Sequence, residues 1–191
     1  ESIDRHNHAA MNELIDRVKP DAVVDAIAYT RLDGQESLEL LVGKTAHLIM
    51  ISTDFVYKPS YQHLPITEDA PTRAGTPYSD GKIDCEETLL NQKKLPVTIF
   101  RPPHIMGPNG PLGTGSIQNR DRSLIDRMRR GIPIGLIDGG TYVIQPLHVD
   151  DAGDAVDAVL GNARCFGKQY NLMSRTAVPT LEYYEIAARE L

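Results

Sequence analysis

The stretch His47-Leu48-Ile49-Met50-Ile51-Ser52 decides the fold. It is apolar almost without a break, whereas a strand with one wet face alternates, so both of its faces must be covered, as in a parallel sheet. The same texture recurs on either side. Upstream stands Ala22-Val23-Val24-Asp25-Ala26-Ile27, and downstream Pro96-Val97-Thr98-Ile99-Phe100-Arg101, stopped by Pro102-Pro103. Helical patterns alternate with these strands. Ala9 to Val18 carries Met11, Leu14, Ile15 and Val18 on one stripe and is punctuated by Pro20-Asp21. A short helical stretch from Leu38 to Val42 ends at Gly43, a fitting C-cap. Tyr78 to Leu90 forms another helix after a polar, proline-containing loop from Lys58 to Pro77. This alternation implies an α/β fold with a doubly wound parallel sheet and right-handed crossovers.

Beyond His104 the texture changes. Met106 to Asn119, rich in Gly and Pro, reads as a long irregular loop and a candidate substrate lid. A helix near Ser123 to Arg130, short strands around Ile132 to Ile137 and Tyr142 to Leu147, and a helix from Val149 to Leu160 follow. Tyr170 to Met173 suggests one more strand before a terminal helix.

The 191 residues, 41% hydrophobic, suit one large domain or one domain with a small satellite. A net charge of −6 argues against nucleic acid or an anionic membrane as partner. Arg127-Met128-Arg129-Arg130 is the local exception and reads first as a solvated helix face. Cys85 and Cys165 stand in no metal-like or redox spacing, which suggests a reducing compartment. With no apolar run near the ~20 residues of a membrane span and no signal peptide, a cytoplasmic protein is expected.

Ligands of open α/β sheets bind beyond the carboxyl ends of the strands. Those ends here are Ala26-Ile27-Ala28-Tyr29, whose small residues admit a flat ligand, then Ser52-Thr53-Asp54-Phe55-Val56-Tyr57, then Arg101-Pro102-Pro103-His104. Between the last two lies a helix opening on Tyr78 and Lys82. Their i, i+4 spacing stacks both side chains on one face, and an ammonium beside a phenol favours the phenolate, which makes an acid/base device.

In order along the chain, Asp4-Arg5, Val23-Val24-Asp25-Ala26-Ile27-Ala28, Ile51-Ser52-Thr53-Asp54-Phe55-Val56-Tyr57, Tyr78-x-x-x-Lys82, Arg101-Pro102, Gly107-Pro108 and His148-Val149-Asp150-Asp151 resemble the extended short-chain dehydrogenases/reductases, the NAD-dependent epimerase/dehydratase type. Thr53 precedes Tyr78 by 25 residues, a spacing typical of that family. The resemblance implies a Rossmann-like fold and NAD or NADP as cofactor. It makes residues 1–105 a partial dinucleotide-binding domain and 106–191 mostly a substrate-binding part, with segments returning to the sheet. By it, Tyr78 is the general acid/base, Lys82 holds the nicotinamide ribose and Thr53 hydrogen-bonds the reacting oxygen. Asp4, Arg5, Ala26, Ile27, Ala28, Pro102 and Pro103 complete the cofactor side. Thr53 and Asp54 face a sugar or nucleotide-sugar substrate, His104 at its strand-end corner and Arg129 of the basic cluster are further candidates for substrate contact, and a homodimer is the family habit.

Departures from the family pattern sharpen the expectation. No Gly-x-x-Gly-x-x-Gly phosphate loop is expected anywhere in the sequence, as if the chain were the C-terminal part of a larger protein. Phe55 occupies a place where family dehydratases carry Glu, so dehydration is disfavoured and an epimerase or keto-reductase is expected. Ile144 stands where many epimerases place an Arg that clamps the substrate diphosphate. That change resembles members that kept the fold and changed ligands, so the alternative is a non-catalytic binding protein with an RNA or protein partner. His148 with Asp150 and Asp151 reads as the start of a helix rather than a metal site. His6 and His8 read as exposed, with no third metal ligand nearby.

Overall fold

A computed structural model describes residues 2–59, 65–114 and 121–191. The chain divides into two compact units, Glu1–Pro102 with Ala155–Leu172, and Pro103–Asp154 with Met173–Leu191.

In the first unit, helix α1 (His8–Val18) starts at Asn7, whose side chain accepts the Ala10 N–H. Strand β1 (Ala22–Asp25) follows, and then α2 (Arg31–Leu41). Helix α2 begins seven residues before the Leu38 expected from hydrophobicity. Its first turns bury Asp33, Glu36 and Ser37 rather than apolar side chains, and a reciprocal capping box between Thr30 and Asp33 fixes its start. Strand β2 (His47–Ile51), α3 (Pro77–Leu90) and β3 (Val97–Arg101) complete the alternation. Helix α3 opens with Pro77 in its first turn behind Thr76, which caps the Ser79 N–H.

Among the described residues the remaining strands and α-helices are β4 (Ile105–Met106), α4 (Leu124–Arg129), β5 (Val143–Ile144), β6 (Leu147–His148), α5 (Val149–Val159), β7 (Lys168–Asn171), β8 (Val178–Pro179) and α6 (Thr180–Arg189). Strand β7 returns to the first unit's sheet. The order is β1-β2-β3-β7 and every pairing is parallel, with Ala22 beside His47, Leu48 beside Val97 and Thr98 beside Lys168.

The continuous apolar run of β2 is explained by what lies on each face. Leu48 and Met50 join Val97, Ile99 and Leu89 in one core with α1 to α3, while Ile49 packs on the other side with Phe100, Val156 and Val159. Truncating such a residue to Ala costs about 2–5 kcal/mol. Helices α2 and α3 approach closely at Gly34, where an added Cβ would stand 3.2 Å from the Cys85 sulfur.

The second unit is irregular. β4 pairs with β6 in parallel and β5 with β8 antiparallel, and a cluster of Leu124, Tyr183 and Tyr184 with Leu136, Ile144 and Val178 forms its core. The strand expected over Ile132 to Ile137 is absent. Gly131 (φ +65°) turns the chain, Ile134 and Leu136 pack into the core without a partner strand, and Ile137–Gly140 forms a 3-10 turn. Apolar content alone cannot distinguish a strand from a buried coil. The candidate lid lies partly outside the described residues. In its described part, Gly107 lets the chain pass Val149, whose methyl would stand 2.5 Å from an added Cβ.

Candidate active site

Tyr78, Lys82 and Glu86 stand four residues apart in one row of α3, and their exposure falls from 46% to 2% to 1%. The row runs against the end of β2. Lys82 Nζ donates to the Ile51 carbonyl at 3.0 Å, and the Ser52 hydroxyl donates to the Glu86 carboxylate. Burial lowers the pKa of Lys82 from its ordinary value.

Tyr29, directly after the β1 end, was not singled out for its ring. The centre of that ring lies 4.4 Å from Lys82 Nζ and 5.8 Å from the centre of the Tyr78 ring, so one aromatic side chain touches both members of the pair. Gly81 permits this approach, since a Cβ there would stand 2.7 Å from the Tyr29 carbonyl oxygen. The signal available in the sequence was the placement of Tyr29 itself, at a strand end beside small residues.

Thr53, buried, continues from β2. Its hydroxyl accepts the Phe55 N–H at 3.3 Å and donates to Asp54 Oδ1 at 3.4 Å, which starts the 3-10 turn Asp54–Val56. The Asp54 N–H donates to the Pro102 carbonyl, tying this corner to the end of β3. Burial pushes the Asp54 carboxyl up to about 6. Phe55 is exposed.

Arg101, at the β3 corner, closes a buried network. It pairs with Glu86 at 2.6 Å and donates to the Tyr57 hydroxyl, the Glu68 carbonyl and the Gln169 amide oxygen. Cys85, beside these groups on α3, is buried, and burial pushes its thiol up to about 12, so it serves as a small core residue.

At the β1 end, Asp25 Oδ1 accepts the N–H groups of Ile27 and Ala28 and shapes the turn. The Arg5 fork is directed inward onto both Asp25 oxygens, the Asp33 carbonyl and Ser37. Asp4 is exposed, with its carboxylate on the His6 N–H. Arg5, Asp25, Ala26 and Ile27 line a groove of about 440 Å³ together with Ser37 and mostly apolar residues of α1, α2 and β1.

In the second unit, the His104 carbonyl accepts the Leu147 N–H, Pro103 precedes it, and Arg129 lies exposed on α4 near Asp126. His148 Nδ1 accepts the Asp150 N–H at the start of α5. Ile144 packs in the core cluster. The spacing Gly107-x-x-Gly110-x-x-Gly113 does occur in this chain. It follows β4, and Pro108 and Pro111 lack N–H donors, so it lacks the build of a phosphate loop. The expectation that His6 and His8 have no third ligand nearby is corrected: the fold carries Glu36 and Asp33 of α2 to them.

The sheet, its strand-end hydroxyl and the Tyr/Lys row together define a doubly wound α/β protein of short-chain dehydrogenase/reductase build. The chain belongs to the NAD dependent epimerase/dehydratase family, which it matches over residues 1–172. It is 27% identical over 192 residues to a 2'-dehydrokanamycin reductase of Streptomyces kanamyceticus, covering 96% of this chain and 52% of that protein. It is 29% identical over 176 residues to a dTDP-glucose 4,6-dehydratase of Streptomyces griseus, covering 86% and 49%. The chain thus spans about half the length of these curated relatives. In fold it is similar to a dTDP-glucose 4,6-dehydratase from Bacillus anthracis solved in complex with NAD (TM-score 0.79, 23% identity, 97% of this chain and 61% of that one). Among the described residues, no helix is long and apolar enough to cross a membrane.

Proposed function

We propose that the protein carrying this chain is an NAD- or NADP-dependent epimerase or keto-reductase acting on a sugar or nucleotide sugar, with Thr53, Tyr78 and Lys82 as its centre. The observation that carries this reading is the buried Lys82 ammonium, held between the Ile51 carbonyl and the Tyr29 ring one helical turn from Tyr78. A dinucleotide fits the residues present. Lys82 has three N–H donors and Ile51 takes one, which leaves donors for ribose hydroxyls. The groove at Arg5, Ala26 and Ile27 offers an apolar bed at the neighbouring strand end.

When bound, the nicotinamide supplies the hydride chemistry. Tyr78 gives or takes the proton of the reacting hydroxyl, and the Lys82 cation favours its phenolate form. The Thr53 hydroxyl turns from Asp54 to the reacting oxygen and fixes it. Phe55, exposed beside this corner, cannot shuttle a second proton, which separates the reaction from dehydration. Relatives named as a reductase and as a dehydratase of dTDP-glucose support keto-sugar and nucleotide-sugar substrates.

The test supplies full-length protein with NAD or NADP and a panel of nucleotide sugars and their keto forms. Nicotinamide turnover or an epimerised product is expected. No turnover on any of them, together with salt-sensitive RNA binding that survives Lys82→Ala, would replace this reading with a non-catalytic binding protein.

A further inference from the structure

Ahead of α1, residues 4–8 form a tight strap. The Asn7 N–H donates to the Asp4 carbonyl, the His6 N–H donates to the Asp4 carboxylate, and Asn7 caps α1. The strap presents His6 and His8 to α2, where Asp33 and Glu36 stand three residues apart on one face. His6 Nδ1 lies 2.9 Å from one Glu36 oxygen, and His8 Nε2 lies 3.2 Å from the other. His6, Asp33 and Glu36 each place a ligand atom within 4.8 Å of the others.

We infer that His6, Asp33 and Glu36, with His8 beside them on the second Glu36 oxygen, form a binding site for one borderline divalent cation of the Zn²⁺ class. Donors sharing a tetrahedral zinc at about 2.0–2.1 Å lie about 3.3 Å apart, close to the two imidazole-to-carboxylate separations here. The imidazole of His6, with that of His8 at hand, selects zinc, nickel or copper over the hard ions magnesium and calcium.

The donors are held in advance. Glu36 keeps only 11% of its side chain exposed, and one Asp33 oxygen accepts the N–H groups of Tyr29 and Thr30 at 2.8 Å. Asp33's other oxygen lies 3.6 Å from Arg5 Nε, so Arg5 restrains the carboxylate that converges with His6 and Glu36. His6 and His8 are 55% and 40% exposed, which gives an ion a route in and leaves room for a coordinated water. An ion bound there would clamp the strap carrying Asp4 and Arg5 onto α2. This inference does not depend on the proposed catalysis.

The test titrates chelator-treated full-length protein with Zn²⁺ alone, against a chromophoric competitor, and follows thermal unfolding in parallel. One saturable ion per chain and a higher Tm with zinc are expected. Glu36→Gln and the double variant His6→Asn/His8→Asn should each weaken binding at least about tenfold and abolish the Tm rise, while His148→Asn binds like the parent. Far-UV circular dichroism verifies that each variant is folded, and the His6→Asn/His8→Asn pair, exposed at the surface, serves if Glu36→Gln unfolds. Absence of saturable zinc uptake, or unchanged affinity in the folded double variant, overturns the site.

Discussion

Two polar centres lie side by side at the ends of β2 and β3, both built on the same row of α3, and they differ in how completely they are closed. At Glu86 and Arg101 the ion pair is shut: Ser52, Tyr57, Glu68 and Gln169 occupy the remaining donors and acceptors, and both charged side chains are at most 3% exposed. One turn along, Lys82 is equally buried, with Ile51 and the Tyr29 face as its contacts, and the row then emerges at half-exposed Tyr78. A closed network fixes the corner of the sheet. The open one keeps donors for a ligand, which is what a reactive centre on a rigid element requires.

The largest effect should come from breaking the closed centre. Arg101→Ala leaves Glu86 as an unpaired buried carboxylate and should cost about 3–5 kcal/mol in urea unfolding. A loss under about 1 kcal/mol would mean that the corner is not the scaffold described.

Gly81→Ala tests the open centre by geometry. Its Cβ would press on the Tyr29 backbone, so a loss of about 1–3 kcal/mol is expected, together with displacement of the aromatic ring from Lys82. A crystal structure of the variant with Tyr29 unmoved and stability unchanged would contradict the close approach.

Asp54, at the corner joining the ends of β2 and β3, gives a smaller effect with a definite sign. Folded Asp54 titrates near 6 and the unfolded residue near 3.8, so between those values the folded chain keeps a proton that the unfolded chain has lost. That contribution is fully present below about pH 4 and is lost as pH rises through 6. Asp54→Asn should therefore be more stable than the parent by about 1–3 kcal/mol at pH 8, relative to their difference at pH 4. Parallel pH profiles for the two proteins would refute the buried carboxyl.

The sheet was legible in the sequence because β2 and β3 are covered on both faces, and continuous hydrophobicity reports that condition directly. The start of α2 was obscured because its buried face is polar there, with Asp33, Glu36 and Ser37 turned inward. Tyr78, Lys82 and Thr53 were visible as spacing at strand ends. Tyr29 and the Glu86–Arg101 pair were not, since each depends on contacts between segments distant in sequence. His6 and Glu36 are 30 residues apart for the same reason.

The most direct test of the central claim is Tyr78→Phe in the full-length protein, assayed for turnover and for cofactor affinity by separate measurements. The substitution removes one hydroxyl from a half-exposed side chain, so the fold and dinucleotide binding should persist while kcat falls about 10²–10⁴-fold. Turnover within about twofold of the parent would contradict the Tyr78/Lys82 centre.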